Sequence, residues 1–368
     1  MVPSMIFDRR RLCPAFGVGL GCLLISIGAI AQEGAKGAQP TRNTLAAPDR
    51  EIKRAHSTMG TLVQIITYTD QEAQAVRAID EAFGEFDRLD KLMTTWTPDS
   101  EVSRINTAAG TKPGVPISAD TLAVLQKAAW GARVTHGAFD ITVGAFKGLW
   151  KFDQDKDGSL PTPTSVKEQR RLVNWRDVLV DPRAQTARLR RDGQAITLGG
   201  IAKGYATDRA VAILRQHGLV DFIVQAGGDM FVSGKKGERR WVVGVRDPRS
   251  EWRGEFFAFV EVEDRTFSTS GDYERFVLAD GKRYHHILDP KTGYPAVLSR
   301  SVTVMAKDAL TADVLSTGLF ILGHERGMKI VQSLPDVEAV LVDDKHQVHV
   351  AQGLTQRIKI AHEPTDGI

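Results

Sequence analysis

Apolar and polar positions alternate from Glu51 to Tyr68, the period of a strand, with Met59-Gly60-Thr61 breaking the run. The period then lengthens. Residues 71–92 place Ala75, Ile79, Phe83, Phe86 and Leu89 at helical spacing, and Ser118 opens a second helix that runs to about Thr135 through Leu122, Leu125 and Ala129. Residues 153–185 are polar and rich in turn formers. Strand-like runs follow at 195–199, 220–226, 240–245, 255–263, 273–279, 282–288 and 301–306, with Asp280-Gly281 as the hairpin signal between two of them. Helical patterns at 202–217 and 308–334 and a hairpin at 336–352 complete the chain, and no repeat of fixed period is present. Strands and helices in mixed order predict an α+β protein, with largely antiparallel sheets and flanking helices.

Composition narrows the class only a little. The chain has 368 residues, 42% hydrophobic and 25% charged, as an ordinary globular protein has. Its net charge of +3 includes Arg9, Arg10 and Arg11 against Asp8, so residues 1–31 carry +2 and the remainder about +1. A near-neutral body has no basic field to attract nucleic acid.

The first 31 residues read as an export signal: the arginine cluster, a small and apolar run from Ala15, and an A-x-A site at Ala29-Ile30-Ala31. An uncleaved anchor, a twin-arginine route and lipid attachment at Cys22 stay open. Both cysteines, Cys13 and Cys22, lie in this leader. The body therefore has no disulfide, no thiolate nucleophile and no Cys-based zinc site, a usage that suits an oxidising compartment. Residues 32–50 read as a linker, 51–355 as the folded region and 356–368 as a C-terminal tail.

Four segments carry chemistry. Gly199-Gly200-Ile201-Ala202-Lys203-Gly204-Tyr205 follows a strand-like run and opens a helix. Paired glycines, a helix N-terminus and Lys203 together suit a phosphate, although a plain strand-to-helix turn explains the same residues. In Tyr284–Gly293 alternation sets His286 and Leu288 on one face and His285 and Ile287 on the other, which makes one histidine a candidate base; a capped surface turn is the plainer reading. Asp313, Ser316 and Thr317 stand at i, i+3 and i+4, so their oxygens share a helix face and meet the demands of Mg²⁺; ordinary capping would also use them. Gly137–Gly144, with Gly148-Leu149-Trp150 after it, reads as a Gly-flanked strand at the edge of a ring-binding pocket, although packing explains it equally well. Asp153-Gln154-Asp155-Lys156-Asp157-Gly158 copies the start of an EF-hand loop, but Thr164 stands where Glu is needed and Pro161 and Pro163 interrupt it. It reads as an acidic turn.

Taken together and in order, these segments resemble the ApbE family, the FAD:protein FMN transferases, from about residue 54 to 352. The residues that carry the resemblance are Met59-Gly60-Thr61, Thr94-Thr95-Trp96, Asp99-Ser100-Glu101, Ser103–Asn106, Phe139–Gly144, Leu198–Ala206, Ala226–Asp229, Thr269–Tyr273, His286–Gly293 and Ala312–Gly318. The resemblance implies a single two-lobed α+β domain that binds FAD and Mg²⁺ in a cleft. It further implies transfer of FMN to a threonine hydroxyl of an exported or membrane-bound redox protein bearing a Gly-Ala-Thr-type motif, with release of AMP.

By position, Met59, Trp96, Ala138, Phe139, Asp140, Thr197, Lys203 and Leu288 would contact the flavin nucleotide. Asp313, Thr317, Ser316 and the Gly200 carbonyl would hold the metal, and His286, with Lys203, would carry catalysis. The family usually has Asp where Thr197 stands, and often Tyr where Trp96 stands. The implied location is periplasmic, with inner-membrane association through the acceptor or the leader left open. A FAD pyrophosphatase, a periplasmic flavin carrier and an exported scaffold are the alternatives. The first two would use the same pocket.

Overall fold

The computed structural model describes residues 50–367 except 154 and 253. The leader and nearly all of the linker expected from the sequence lie outside the described residues.

The chain opens on β1 (Arg50–Thr58) and β2 (Thr61–Thr69), then α1 (Glu72–Met93), α2 (Glu101–Thr107), β3 (Val115–Pro116) and α3 (Ala119–Val134). Next come α4 (Pro163–Arg170), β4 (Val178–Asp181), β5 (Thr186–Leu189) and α5 (Ala202–Gln216). The strands β6 (Phe222–Ala226), β7 (Asp229–Ser233), β8 (Trp241–Arg246), β9 (Phe256–Val262), β10 (Arg265–Gly271), β11 (Phe276–Ala279), β12 (Lys282–His285) and β13 (Ser299–Ala306) follow. The chain closes with α6 (Ala309–Ser333), β14 (Glu338–Asp343), β15 (Val348–Val350) and β16 (Ile358–Ile360).

Eight strands form one sheet in the order β1-β2-β6-β7-β10-β13-β14-β15, every neighbouring pair antiparallel. Its central strands are buried on both faces, which is why they read as apolar runs rather than clean alternations. Val302, Val304, Ala339 and Leu341 pack under α6, while Met305, Val340 and Val342 join Trp241, Phe257 and Val260 from the small β16-β9-β8 sheet on the other face. Under α1 and α5, Phe222, Val224 and Phe231 continue the helix-side core. A smaller core of Phe146, Trp150 and Val166, with Tyr284, Leu288 and Tyr294 against it, forms a second lobe beside the main sheet. Among the described residues no helix is long and apolar enough to cross a membrane.

Several sequence expectations are corrected. The 51–68 run is two strands, because Met59 (φ 50°) and Gly60 (φ 66°) turn left-handed and fold β1 back on β2. The Gly137–Gly144 segment is no strand: a 3-10 helix spans Ile141–Phe146. Residues 195–198 take no regular structure and Gly199 enters a turn, so this run joins no ladder, and the polar 153–185 stretch contains α4, capped by Thr162 with Pro163 in its first turn. Strand β10 has no counterpart among the runs read from the sequence, because its buried helix-facing positions include Thr266 and Ser268 rather than hydrocarbon. Residues 356–367 do more than trail: β16 pairs with β9, and Thr365 donates to the Asp247 carboxylate.

Candidate active site

A cleft of about 960 Å³ opens where the end of β2's hairpin, the start of α5, the middle strands and the second lobe meet. Its polar part is set by how α5 approaches α6. A Cβ on Gly204 would fall 2.4 Å from the Ala309 carbonyl oxygen, so only glycine allows the approach. The Gly204 amide then donates to Asp313 Oδ2 at 2.9 Å. Asp208, one turn along α5, accepts the Ala309 and Leu310 amides at 2.7 and 2.9 Å and fixes the N-terminus of α6. Burial pushes the Asp208 carboxyl up to about 6.

Lys203 lies between two buried carboxylates, 3.0 Å from Asp229 Oδ2 and 3.8 Å from Asp313 Oδ2, and donates to the Gly199 carbonyl. Burial alone would lower its ammonium, but Asp229 and Asp313 outweigh it and raise it. Asp313 is pushed up by burial and by the Asp229 charge, against the pull of Lys203. Thr317 lies one turn beyond Asp313, with its hydroxyl 3.2 Å from where a Gly200 Cβ would stand. Carboxylate, hydroxyl and backbone carbonyl are hard oxygen donors, so the group present here fits Mg²⁺ or a similar cation. Ser316 is the member of the expected metal set that does not line the cleft. It is fully buried, and its hydroxyl bonds Ser268, Ser270 and the Asp313 carbonyl, knitting α6 to β10.

His286 and Leu288 line the cleft just past β12, while His285 is buried in the core and Ile287, also buried, touches the cleft only from the core side, so the expected alternation largely survives beyond the last ladder pair. Its Nδ1 faces the Arg275 carbonyl at 3.3 Å, which can only accept, so Nδ1 carries the hydrogen and Nε2 is left as the acceptor. Burial, then Arg275 and His285, pushes the imidazole down to about 3, so at neutral pH it is uncharged. His285 is lowered too, by burial, and its Nε2 meets the Ala296 carbonyl at 2.8 Å.

The apolar part of the lining comes from Met59, Trp96, Ala138, Phe139 and Leu288. Trp96 is 42% exposed and carries Lys147 over its ring at 4.3 Å. Asp140 lies in the lining segment, but its carboxylate is committed elsewhere: Oδ1 accepts the Thr142 amide and hydroxyl, and Oδ2 the Trp175 amide. It caps the 3-10 helix and so positions the backbone of Ala138 and Phe139. Thr197 is tied by its amide to the Ile141 carbonyl at 2.8 Å, and its hydroxyl lies 3.4 Å from the Gly199 amide. Of the expected residues, then, all but Ser316 meet at one cleft.

Asp229 and Arg275 are charged members of the lining that sequence reasoning does not single out as site residues. Asp229 enters it only as the end of the Ala226–Asp229 motif, yet it is Lys203's nearest partner. Arg275, paired with Asp153, adds a cation to the lining. Its signal is thin: a lone arginine two residues past Thr269–Tyr273. The acidic turn is likewise accounted for, since Asp157 accepts from Ser159 and Lys151 and Asp153 pairs with Arg275.

Known proteins similar to this chain point to one family. The model of the ApbE family matches residues 59–341. A FAD:protein FMN transferase of Treponema pallidum is 32% identical over 327 residues, covering 84% of this chain and 90% of that one. One from Klebsiella pneumoniae is 31% identical, covering 79% and 88%. Among solved structures, the ApbE protein of Thermotoga maritima superposes with a TM-score of 0.76 at 32% identity, covering 84% of this chain and 99% of that one. The flavin transferase ApbE of Vibrio cholerae gives 0.76 at 27% identity, covering 84% and 100%.

Proposed function

The chain belongs to the ApbE family, and from that premise we propose that it moves FMN from FAD to a threonine hydroxyl of an exported or membrane-bound redox protein and releases AMP. The observation that carries the reading is the meeting of Lys203, Asp313, Thr317 and His286 in one cleft that also offers the apolar and aromatic surface of Met59, Trp96, Phe139 and Leu288. Phosphoryl transfer asks for positive charge at the phosphates and a placed nucleophile, and a flavin asks for flat apolar surface.

In the proposed reaction the acceptor oxygen attacks the FMN phosphorus. The bond from that phosphorus to the bridging oxygen breaks, and AMP leaves with that oxygen. The hydroxyl proton passes to His286 Nε2. Lys203 and the Gly199–Gly200 amides stabilise charge on the phosphate oxygens. Asp313 and Thr317, with the Gly200 carbonyl, would hold Mg²⁺, which when bound draws charge from the pyrophosphate. Met59, Trp96, Phe139 and Leu288 would flank the ring system. Thr197 would contribute through the turn it stabilises, not through a charge. We place residues 1–31 as a signal peptide and 32–50 as a linker, with action on the periplasmic side.

The deciding experiment incubates the protein with FAD, Mg²⁺ and an acceptor carrying a Gly-Ala-Thr-type motif. Flavin fluorescence that stays with the acceptor through denaturing electrophoresis is the expected result. Free FMN and AMP with an unlabelled acceptor would replace the transferase with a pyrophosphatase.

A further inference from the structure

Far along α6 from Asp313, a second cluster of ligating side chains stands apart from the cleft. Helix α6 breaks at Gly323 (φ 72°, ψ 178°), and His324 follows the break. Asp343 ends β14 and is almost fully buried. His349 lies on β15, the other arm of the hairpin. Asp343 Oδ1 accepts the Lys345 and Gln347 amides, each at 2.9 Å, and is thereby fixed by the turn. Asp343 Oδ2 is left for two imidazoles: His349 Nε2 at 2.8 Å and His324 Nδ1 at 3.6 Å. The two rings stack with centroids 3.9 Å apart and only 2° between their planes. One candidate ligand atom from each of the three residues lies within 4.8 Å of the others.

We propose that His324, Asp343 and His349 form a site for a borderline divalent transition metal of the zinc class, tying the last turns of α6 to the β14–β15 hairpin. Donor chemistry selects the metal: two imidazoles and one carboxylate suit zinc, cobalt or nickel, whereas Mg²⁺ and Ca²⁺ prefer all-oxygen sets. Zn–N and Zn–O distances of ~2.0–2.2 Å put tetrahedral ligand atoms ~3.3 Å apart. The observed 2.8 and 3.6 Å contacts to Oδ2 straddle that value, and binding would turn one of the stacked rings so that both nitrogen lone pairs meet at one ion.

The carboxylate is supported as metal-binding carboxylates are, with its outer oxygen held by backbone amides. The histidine side chains remain partly exposed, at 37% and 24%, which gives an ion a way in and leaves room for water as a fourth ligand. Single ligands come from α6, from the end of β14 and from β15, so a bound ion would cross-link three elements.

The test uses the full chain, freed of metal by a chelator and returned to excess Mg²⁺ so that the cleft is not the reporter. One Zn²⁺ per chain should bind at micromolar concentration, and Co²⁺ should give the visible absorption of a four-coordinate site. H324A and H349Q should each weaken binding by about 10²-fold or more. The glutamine amide of H349Q can keep a hydrogen bond to Asp343, so the fold is retained while the ligand is lost. H346A removes a histidine of the same turn that is paired with Asp366, and it should bind as the unaltered chain does. D313A should also retain the zinc. The thermal midpoint should rise with Zn²⁺ in the unaltered chain and not in H324A. Unchanged zinc binding in both H324A and H349Q, or no binding by the unaltered chain, overturns the proposal.

Discussion

The polar part of the cleft, around Lys203 and Asp313, and the apolar part, around Met59, Trp96 and Phe139, are held in shape by different forces. The polar part is over-determined. Asp313 takes an amide from α5, Lys203 is clamped by two carboxylates, and Ser316 is locked into β10. The apolar part relies on backbone devices, namely the left-handed Met59-Gly60 turn and the Asp140 cap, and leaves Trp96 well exposed. A preorganised charge array costs little reorganisation when a reaction begins, whereas a ring platform needs only surface and can tolerate motion. The first should therefore govern turnover and the second affinity.

That division can be broken most sharply at Asp313. Replacement by Ala removes the carboxylate of the proposed cation site, a loss of several kcal/mol of charge stabilisation, and should lower Mg²⁺-dependent turnover by about 10³-fold or more. Turnover equal to the unaltered protein would place the cation elsewhere. For His286→Ala the expected fall is smaller, near the lower end of about 10²–10⁴-fold, because an imidazole held near 3 in the free cleft is a weak base. FAD affinity, read by fluorescence quenching, should hardly move; undiminished transfer removes His286 as the base.

Trp96→Ala should raise the Kd for FAD about tenfold with kcat nearly kept, the effect of losing one stacking partner worth ~1 kcal/mol or slightly more. A drop in kcat with unchanged Kd would reverse the division argued above. A further effect concerns stability. His286 is lowered in the fold, so its neutral form stabilises the protein above the ordinary histidine value of 6.5, and that stability is lost as pH falls towards 3. Denaturant titrations between pH 6.5 and 4 should show a shallower decline for His286→Gln than for the unaltered chain. Parallel curves would mean the imidazole titrates normally.

Much of this was legible in the chain because hydrocarbon and chemistry were written in separate places. The long helices α1, α5 and α6 announced themselves by period, and the cleft residues by glycine pairs and by Asp313 and Thr317 one turn apart. What the sequence hides, it hides in several ways. Strand β10 buries hydroxyls, not hydrocarbon, so Thr266 and Ser268 hid it from any reading by period. Helical spacing puts Ser316 on one face with Asp313 and Thr317, which gives a face but not what covers it. Asp140 lines the cleft as expected, but its carboxylate's partners, Thr142 and the distant Trp175 amide, are visible only in three dimensions. His324, Asp343 and His349 lie 19 and 6 residues apart along the chain, and the distance between the first two conceals what the kink at Gly323 and the hairpin bring together.

The pairing of β16 with β9 has a consequence for colloidal behaviour. The small sheet runs β16-β9-β8, so Ile358–Ile360 caps the open edge of β9 along Ala258–Val260. Lys359 at its centre is exposed and discourages a further strand from adding. A chain cut before Ile358 would keep its cleft and main sheet, yet it would present the bare N–H and C=O groups of β9 to its neighbours. Such a protein should self-associate while still folded, and a fusion partner that displaced this strand would do the same.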